Sequence, residues 1–290
     1  MPELPEVETI KNGLRKRVLE KPILSVDVNN ASVIKNGKSY FVKTLTGGKF
    51  ASIGRRGKML IFEIEKETGG AEKNFLLARL GMTGRLVYFD KARALGGDFD
   101  FRNKKNSSCR HCHVVFAFEG GGILLFYDTR RFGYLEIVDE KGLERKLKTF
   151  GPEPLDSKFT LKIFQKIIEG KKTNIKALLL NQKYIAGIGN IYADEILFEA
   201  KIDPRRSADS LSAEEAKVIY AAIKKILKKA VENRGTTFSD YVDAEGNAGN
   251  FKKYLKVYGR SGTDCLECGG KIKKTVVAGR GTSFCEQCQK

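Results

Sequence analysis

Two Cys-x-x-Cys pairs near the C-terminus constrain the folding of this chain more than any other feature. Cys265-Leu266-Glu267-Cys268 and Cys285-Glu286-Gln287-Cys288 have sixteen residues between them. Each pair can form a metal knuckle, and two knuckles at this spacing close one tetrahedral site of four thiolates. Between them, Gly269-Gly270 and Gly279-Arg280-Gly281 punctuate a stretch that includes Thr275, Val276 and Val277. The pattern predicts a zinc ribbon, two strands with a turn at the tip. Four thiolates leave no open coordination position, so one structural zinc is expected. A segment this short depends on its metal to fold. Disulfides are the alternative. They belong to secreted chains, and the N-terminus here lacks the charged-then-apolar pattern of a secretory signal.

The rest of the chain is long enough for two or three units. With 41% hydrophobic residues it can bury a real core. No apolar run approaches the ~20 residues of a membrane span, so a soluble cytoplasmic protein is expected. Lys and Arg number 53 against 35 Asp and Glu, a net charge of +18 at pH 7. Such an excess suits a polyanion, of which nucleic acid is the commonest. Attraction to anionic lipid is the competing explanation, but no basic amphipathic helix with large aromatics stands out. There is no Trp, and the 18 Phe and 10 Tyr fit a core as well as a stacking surface.

Hydrophobic periodicity divides the chain. Val7, Ile10, Leu14 and Val18 recur at helical spacing, predicting a first helix over 6–19. The next region reads as short strands and turns. Strands are predicted over 49–55 and 59–65, flanking an Arg56-Gly57-Lys58 tip, then over 75–80, 85–89, 114–118, 123–127 and 134–138. Residues 91–110 read as a long Gly-, Lys- and Asn-rich loop. Repeated short strands with glycine turns predict a β-sandwich or barrel. The pattern changes near residue 140, and Gly151-Pro152-Glu153-Pro154 is a break. Beyond it the chain reads as helical: Leu161, Phe164, Ile167 and Ile168 line one face, and helices are predicted over 175–180, 190–200 and 212–233. The last is opened by Ser212-Ala213-Glu214-Glu215, a capping-box pattern. A loop over 235–250 leads to the cysteines. The fold class is therefore α+β and multidomain: an N-terminal helix with a β-sandwich (1–139), a helical domain (140–235), and a loop plus zinc ribbon (236–290).

The first residues, Met1-Pro2-Glu3-Leu4-Pro5-Glu6, carry chemical potential. With Met1 removed, Pro2 exposes a secondary amine. An α-amino group titrates near ~8, so part of it is unprotonated and nucleophilic at neutral pH. Such an amine can form a Schiff base with a sugar aldehyde carbon. The proline ring stiffens the mount, and Glu3 and Glu6 supply carboxylates for acid/base work. The plainer alternative is an ordinary starting peptide before a helix.

Three separated motifs decide between these. Pro2-Glu3-Leu4-Pro5-Glu6-Val7-Glu8, Gly187-Ile188-Gly189-Asn190-Ile191-Tyr192-Ala193 and Gly279-Arg280-Gly281-Thr282, in this order, resemble the formamidopyrimidine-DNA glycosylase family over essentially the whole chain. These bacterial-type repair enzymes remove 8-oxoguanine and ring-opened purines. The resemblance implies Pro2 as the nucleophile at C1′, Glu3 as its acid/base partner, Glu6 in support and Lys58 as a second catalytic lysine that contacts phosphate. It implies base excision followed by β- and δ-elimination. It makes Met82, Arg130 and Phe132 the trio that fills the hole left by an extrahelical base. It places Lys176, Asn190 and Arg280 near phosphates, with Arg280 at the catalytic centre as well, and His111 among the DNA-contacting residues. It makes 140–235 a helix–two-turn–helix domain whose helix-start amides, after Gly187-Ile188-Gly189, favour phosphate. It makes 236–250 a loop that closes over the flipped base. The partner is double-stranded DNA with oxidised purines or abasic sites, and a monomer is expected.

Without the resemblance, Lys58 is an ordinary hairpin tip, Met82 and Phe132 are core, and Asn190 is a helix start. Two other functions compete. One is the endonuclease VIII type, specific for oxidised pyrimidines, which typically begins Pro-Glu-Gly-Pro where this chain has Leu4. The other is a non-catalytic damage-binding protein. Arg79 stands where many relatives have histidine, and Arg110-His111-Cys112-His113 replaces a usual Lys-His-Asp-His. Cys109, Cys112, His111 and His113 invite a second metal site. Strand alternation, with His111 and His113 on one face and Cys112 on the other, argues against it.

Overall fold

The computed structural model describes residues 2–66, 73–90 and 111–290. The chain divides into two compact units, the first formed by 1–2, 6–147 and 236–249, the second by 3–5, 148–235 and 250–290. Residues 236–249 belong with the sandwich, and the ribbon belongs with the helices.

In the first unit, helix α1 (Leu4–Val18) buries Val7, Ile10, Leu14 and Val18 completely, as their spacing requires. Pro5 lies in the first turn, where its missing N–H is no loss. Arg15, Lys16 and Arg17 occupy the last turn, favoured by the helix dipole. Strands β1 (Ile23–Val28), β6 (Cys112–Phe118), β7 (Ile123–Tyr127) and β5 (Arg85–Phe89) form one antiparallel sheet in the order β1-β6-β7-β5. Strands β2 (Gly48–Arg56), β3 (Met59–Lys66), β4 (Asn74–Arg79) and β8 (Tyr134–Asp139) form the other, in sequence order. The inner faces meet in one core, in which the Phe50 ring lies 6.3 Å from Phe116 and 4.9 Å from Phe62. Burying each such side chain contributes roughly 1.5–3 kcal/mol.

Helices α2 (Lys38–Leu45) and α3 (Glu140–Leu147) have no counterpart in the sequence reading. In α2 the residues Tyr40, Phe41, Val42 and Thr44 favour strand by propensity. Only Phe41 and Leu45 are buried, at the i, i+4 spacing of a helix. The 91–110 loop and Cys109 lie outside the described residues.

The second unit is built from α4 (Leu161–Ile168), α5 (Ile175–Leu180), α6 (Asn190–Glu199), α7 (Ala213–Glu232) and the hairpin of β9 (Lys273–Val277) and β10 (Arg280–Phe284). The predicted capping box opens α7, with Ser212 and Glu215 bonded reciprocally. Bonds from Arg206 and from the Ser212 N–H pull the Glu215 carboxyl down to about 2. Helix α6 is the central element of this unit. Every residue from Ile191 to Phe198 is buried, including Asp194 and Glu195. No described helix is long and apolar enough to cross a membrane.

Candidate active site and DNA-binding elements

In the first unit Pro2 is buried. Glu6 is buried as well, and its Oε1 accepts from the Thr236 N–H at 2.7 Å. That bond ties α1 to the start of the 236–249 segment. The segment is further fixed by Tyr88 N–H to the Ala244 carbonyl (2.8 Å), by the Arg17–Glu245 pair (2.5 Å) and by its own turn on the Asp243 carboxylate. Lys58 is half-buried on the two-residue Gly57-Lys58 turn between β2 and β3. Arg55 braces that turn, donating to the Gly57 carbonyl and to Glu8, each at 2.8 Å. Burial alone would raise the Glu8 carboxyl, but bonds from Lys11 and Arg55 hold it below its usual range.

Met82 and Phe132 are 41% and 57% exposed, large apolar side chains in water rather than in the core. The Arg130 guanidinium joins them, with Nη1 3.3 Å from the Met82 sulfur and its carbon 4.7 Å from the centre of the Phe132 ring. His111 is exposed and His113 buried. The simple alternation expected for this strand fails because the register shifts between Cys112 and Val114. The His113 ring is bonded at Nε2 to the Asp128 carbonyl, 2.7 Å away.

In the second unit the N-terminal peptide sits on the start of α6. The Leu4 N–H donates to the Gly187 carbonyl (3.0 Å). The Glu3 carboxylate accepts from the N–H groups of Gly189 (2.8 Å), Ile191 (2.9 Å) and Tyr192 (3.4 Å). These are the helix-start amides that the sequence suggested for phosphate, and the structure gives them to Glu3 instead. The same physics applies, since a helix N-terminus favours an anion. A Cβ on Gly189 would fall 2.2 Å from the Glu3 carboxyl carbon, so a side chain there would push Glu3 off these amides.

Lys176 also differs from expectation. It is fully buried, so it is not in position to touch phosphate directly. Its Nζ pairs with Asp194 Oδ1 at 2.6 Å and donates to Thr282 Oγ1 (2.8 Å) and the Gly281 carbonyl (3.2 Å). Thr282 Oγ1 donates in turn to the Arg280 carbonyl, and the Ser283 N–H donates to Asp194 Oδ2 at 2.8 Å. Asn190 is half-buried and donates through Nδ2 to the same Gly281 carbonyl at 2.9 Å. Lys176, Asn190 and Asp194 thus hold the ribbon tip from beneath while Arg280 points out exposed. Burial pushes Asp194 up to about 6, against the pull of Lys176, and pushes Lys176 down. Glu195, buried beside them, accepts from the N–H groups of Lys256, Val257 and Tyr258. The sequence carried no signal for these roles of Asp194 and Glu195 beyond two adjacent acids within an apolar stretch of the helix.

The Sγ atoms of Cys265, Cys268, Cys285 and Cys288 lie within 4.8 Å of one another. The 265–288 and 268–285 separations are 3.9 and 3.5 Å. Zn–S bonds of about 2.3 Å in a tetrahedron place sulfurs about 3.8 Å apart, so the four residues fit one zinc ion.

A β-sandwich with a leading helix, a helical unit whose central helix seats the N-terminal peptide, and a four-cysteine ribbon define a DNA-repair glycosylase. Comparisons give the same answer. A profile of the formamidopyrimidine-DNA glycosylase N-terminal domain matches residues 1–135, the H2TH domain of the same enzymes matches 150–242, and a zinc finger found in FPG and IleRS matches 264–290. Formamidopyrimidine-DNA glycosylases of Carboxydothermus hydrogenoformans and Desulforamulus reducens are 41% and 40% identical. Each match covers the whole of this chain and 100% or 99% of the relative. A Lactococcus lactis FPG mutant solved with Fapy-dG DNA superposes with a TM-score of 0.87 at 34% identity, over the full length of both chains. The chain belongs to the formamidopyrimidine-DNA glycosylase family.

Proposed function

We propose that this chain removes oxidised purines from double-stranded DNA through a covalent intermediate at Pro2. As a family member it is a bifunctional DNA glycosylase and abasic-site lyase of base-excision repair. The Lactococcus relative has been solved with DNA carrying Fapy-dG and with DNA carrying an abasic site, and these lesions are assigned to this chain too. The same relative has been solved with oxidised-pyrimidine DNA, so a pyrimidine lesion belongs in any substrate panel. Its place of work is the chromosome, in the cytoplasm and associated with the nucleoid.

In this reading 1–139 carry the chemistry, 140–235 the helix–two-turn–helix, and 236–290 the capping loop and ribbon. After Met1 is removed, the Pro2 nitrogen attacks C1′ and the glycosidic bond breaks, releasing the base. The C1′–O4′ bond then opens, leaving an iminium at C1′ that makes the C2′ proton acidic; its loss expels the 3′ phosphate, and a second elimination expels the 5′ phosphate. Glu3 is the acid/base partner, with its orientation fixed by the start of α6. Lys58 contacts phosphate and assists proton transfer near the sugar. Glu6 supports the site by holding the root of the 236–249 loop, whose backbone amides read the base. Arg280, Asn190 and His111 contact DNA, and Met82, Arg130 and Phe132 fill the hole in the stack. Lys176 acts through Gly281 and Thr282. The zinc holds the ribbon and takes no part in the reaction.

One observation carries most weight. Glu3 and Leu4 are bonded to the start of α6, which gives the residue next to the nucleophile a fixed seat. Borohydride reduction with abasic-site DNA tests the chemistry. A covalent adduct is expected with wild-type protein whose intact mass shows Met1 removed, and Pro2→Gly should abolish most of it. A processed wild-type protein that traps nothing leaves only a DNA-binding role.

A further inference from the structure

Asp128 lies outside every role assigned above, yet it is completely buried where two loops meet. One loop, 81–84, carries Met82. The other, 130–133, carries Arg130 and Phe132. The Thr83 hydroxyl donates to Asp128 Oδ1, as does the Arg130 N–H at 3.2 Å. The Gly133 N–H donates to Oδ2 at 2.6 Å. One carboxylate thus holds both ends of the 130–133 turn and the neighbour of Met82.

The turn needs holding. Arg131, between Arg130 and Phe132, has φ +56°, in the left-handed region that a non-glycine residue avoids. The loops also touch backbone to backbone. A Cβ on Gly81, itself at φ +62°, would fall 2.7 Å from the Gly133 nitrogen and from the Phe132 carbonyl carbon. Asp128 itself is anchored by His113, whose ring bonds the Asp128 carbonyl, and by its own N–H to the His111 carbonyl (3.2 Å). Above this buried base the three exposed side chains are already assembled, with Arg130 touching both Met82 and Phe132.

We propose that Asp128 is the positioning residue of the void-filling trio. It fixes Met82, Arg130 and Phe132 in one geometry before DNA arrives, so insertion into the stack does not have to order two loops. The proposal rests on the reading of the trio as the wedge. Asp128 does not touch DNA. Asp128→Asn keeps the shape of the side chain but replaces one acceptor oxygen with an NH₂ group, which faces a hydroxyl or N–H donor.

The wedge matters only where there is a stack to enter, and this separates positioning from plain destabilisation. With duplex DNA carrying a single 8-oxoguanine, single-turnover excision by Asp128→Asn should fall about 100-fold, the size of effect expected from misplacement near 1 Å. Borohydride trapping on a single-stranded oligonucleotide with a preformed abasic site should stay within about twofold, because no void has to be filled there. Adding Asp128→Asn to a Met82→Ala/Phe132→Ala enzyme should cost little further, since coupled residues are non-additive. Equal loss on both substrates, or full additivity, overturns the proposal in favour of a structural role. Normal duplex excision by Asp128→Asn alongside loss in Met82→Ala/Phe132→Ala overturns it while leaving the wedge reading standing. Normal duplex excision by Met82→Ala/Phe132→Ala overturns the wedge reading, and the proposal with it.

Discussion

Asp128 in the first unit and Asp194 in the second do comparable work by different means. Each is buried, and each lies beneath an exposed side chain assigned to DNA: Phe132 above one, Arg280 above the other. Asp194 has a cation 2.6 Å away, and the pair is extended through Thr282 to the Arg280 carbonyl. Among the described residues the Asp128 carboxylate has no cation and accepts only from a hydroxyl and two backbone N–H groups. The difference follows from what is held. The ribbon tip is a regular hairpin end, and a bulky lysine rising from α5 can reach it. Each turn has a non-glycine residue at positive φ, Ala278 at the ribbon tip and Arg131 in 130–133, but the ribbon tip is closed by its strand ladder, whereas 130–133 is held by side-chain bonds at both of its ends. An ion pair supplies reach, whereas several directed bonds supply conformation.

The largest loss is expected from removing one member of the ionic pair. Asp194→Ala strands the Lys176 ammonium in the interior and should cost about 3–5 kcal/mol, measured by urea unfolding with zinc in excess. Lys176→Met/Asp194→Leu removes both charges and should cost far less, because replacing a whole buried pair with apolar groups is often nearly neutral. A double variant as unstable as the single one would show that the pair does more than neutralise itself.

The pH response comes next in size. Burial raises Asp194 to about 6 in the folded state, against ~3.9 unfolded. The folded state therefore binds the proton more tightly. Stability from this group is fully present below pH ~4, falls as pH rises to about 6, and is flat above that. The swing is at most roughly 3 kcal/mol. It should appear as a difference between wild type and Asp194→Asn across this window. A difference independent of pH would mean that Asp194 titrates at an ordinary value. Thr83→Val probes the other carboxylate. It removes one of three donors and should cost about 1 kcal/mol. A loss near that of Asp194→Ala would mean that Asp128 depends on a single partner as strictly as an ion does.

The two regions were not equally legible in the sequence. The four ligands of the zinc ribbon could be read to the residue, because thiolate spacing is dictated by a metal and little else. Strands β5 and β7 and helix α5 fell at their predicted limits because their apolar periodicity is strong. Helix α2 was hidden by β-favouring residues that tertiary packing overrode. The buried clamps were hidden for another reason. Nothing local distinguishes Asp128 in Tyr127-Asp128-Thr129 from a solvated turn residue, since its partners Thr83 and Gly133 belong to separate turns. Lys176 was legible as important and misplaced in role. A lysine in Asn174-Ile175-Lys176-Ala177 reads as a surface cation until Asp194 is brought beneath it by the fold. The amides at the start of α6 were legible as an anion site, but the anion proved to be Glu3, almost 190 residues away in sequence.

The smallest expected effect separates the two regions by their contribution to DNA binding. A cation that neutralises one phosphate adds about one to the slope of log affinity against log salt. Arg280→Ala should therefore reduce that slope by about one on abasic-site duplex DNA. Phe132→Ala should weaken binding at every salt concentration and leave the slope unchanged, because an apolar wedge releases no counterions. Lys176 is the discriminating position. Being buried against Asp194, it should influence the slope only by way of Arg280, so Lys176→Met added to Arg280→Ala should produce no further decrease. A second unit lost from the slope would place the Lys176 ammonium on a phosphate after all. The ionic clamp would then have to open when DNA binds, while the Asp128 clamp stays shut.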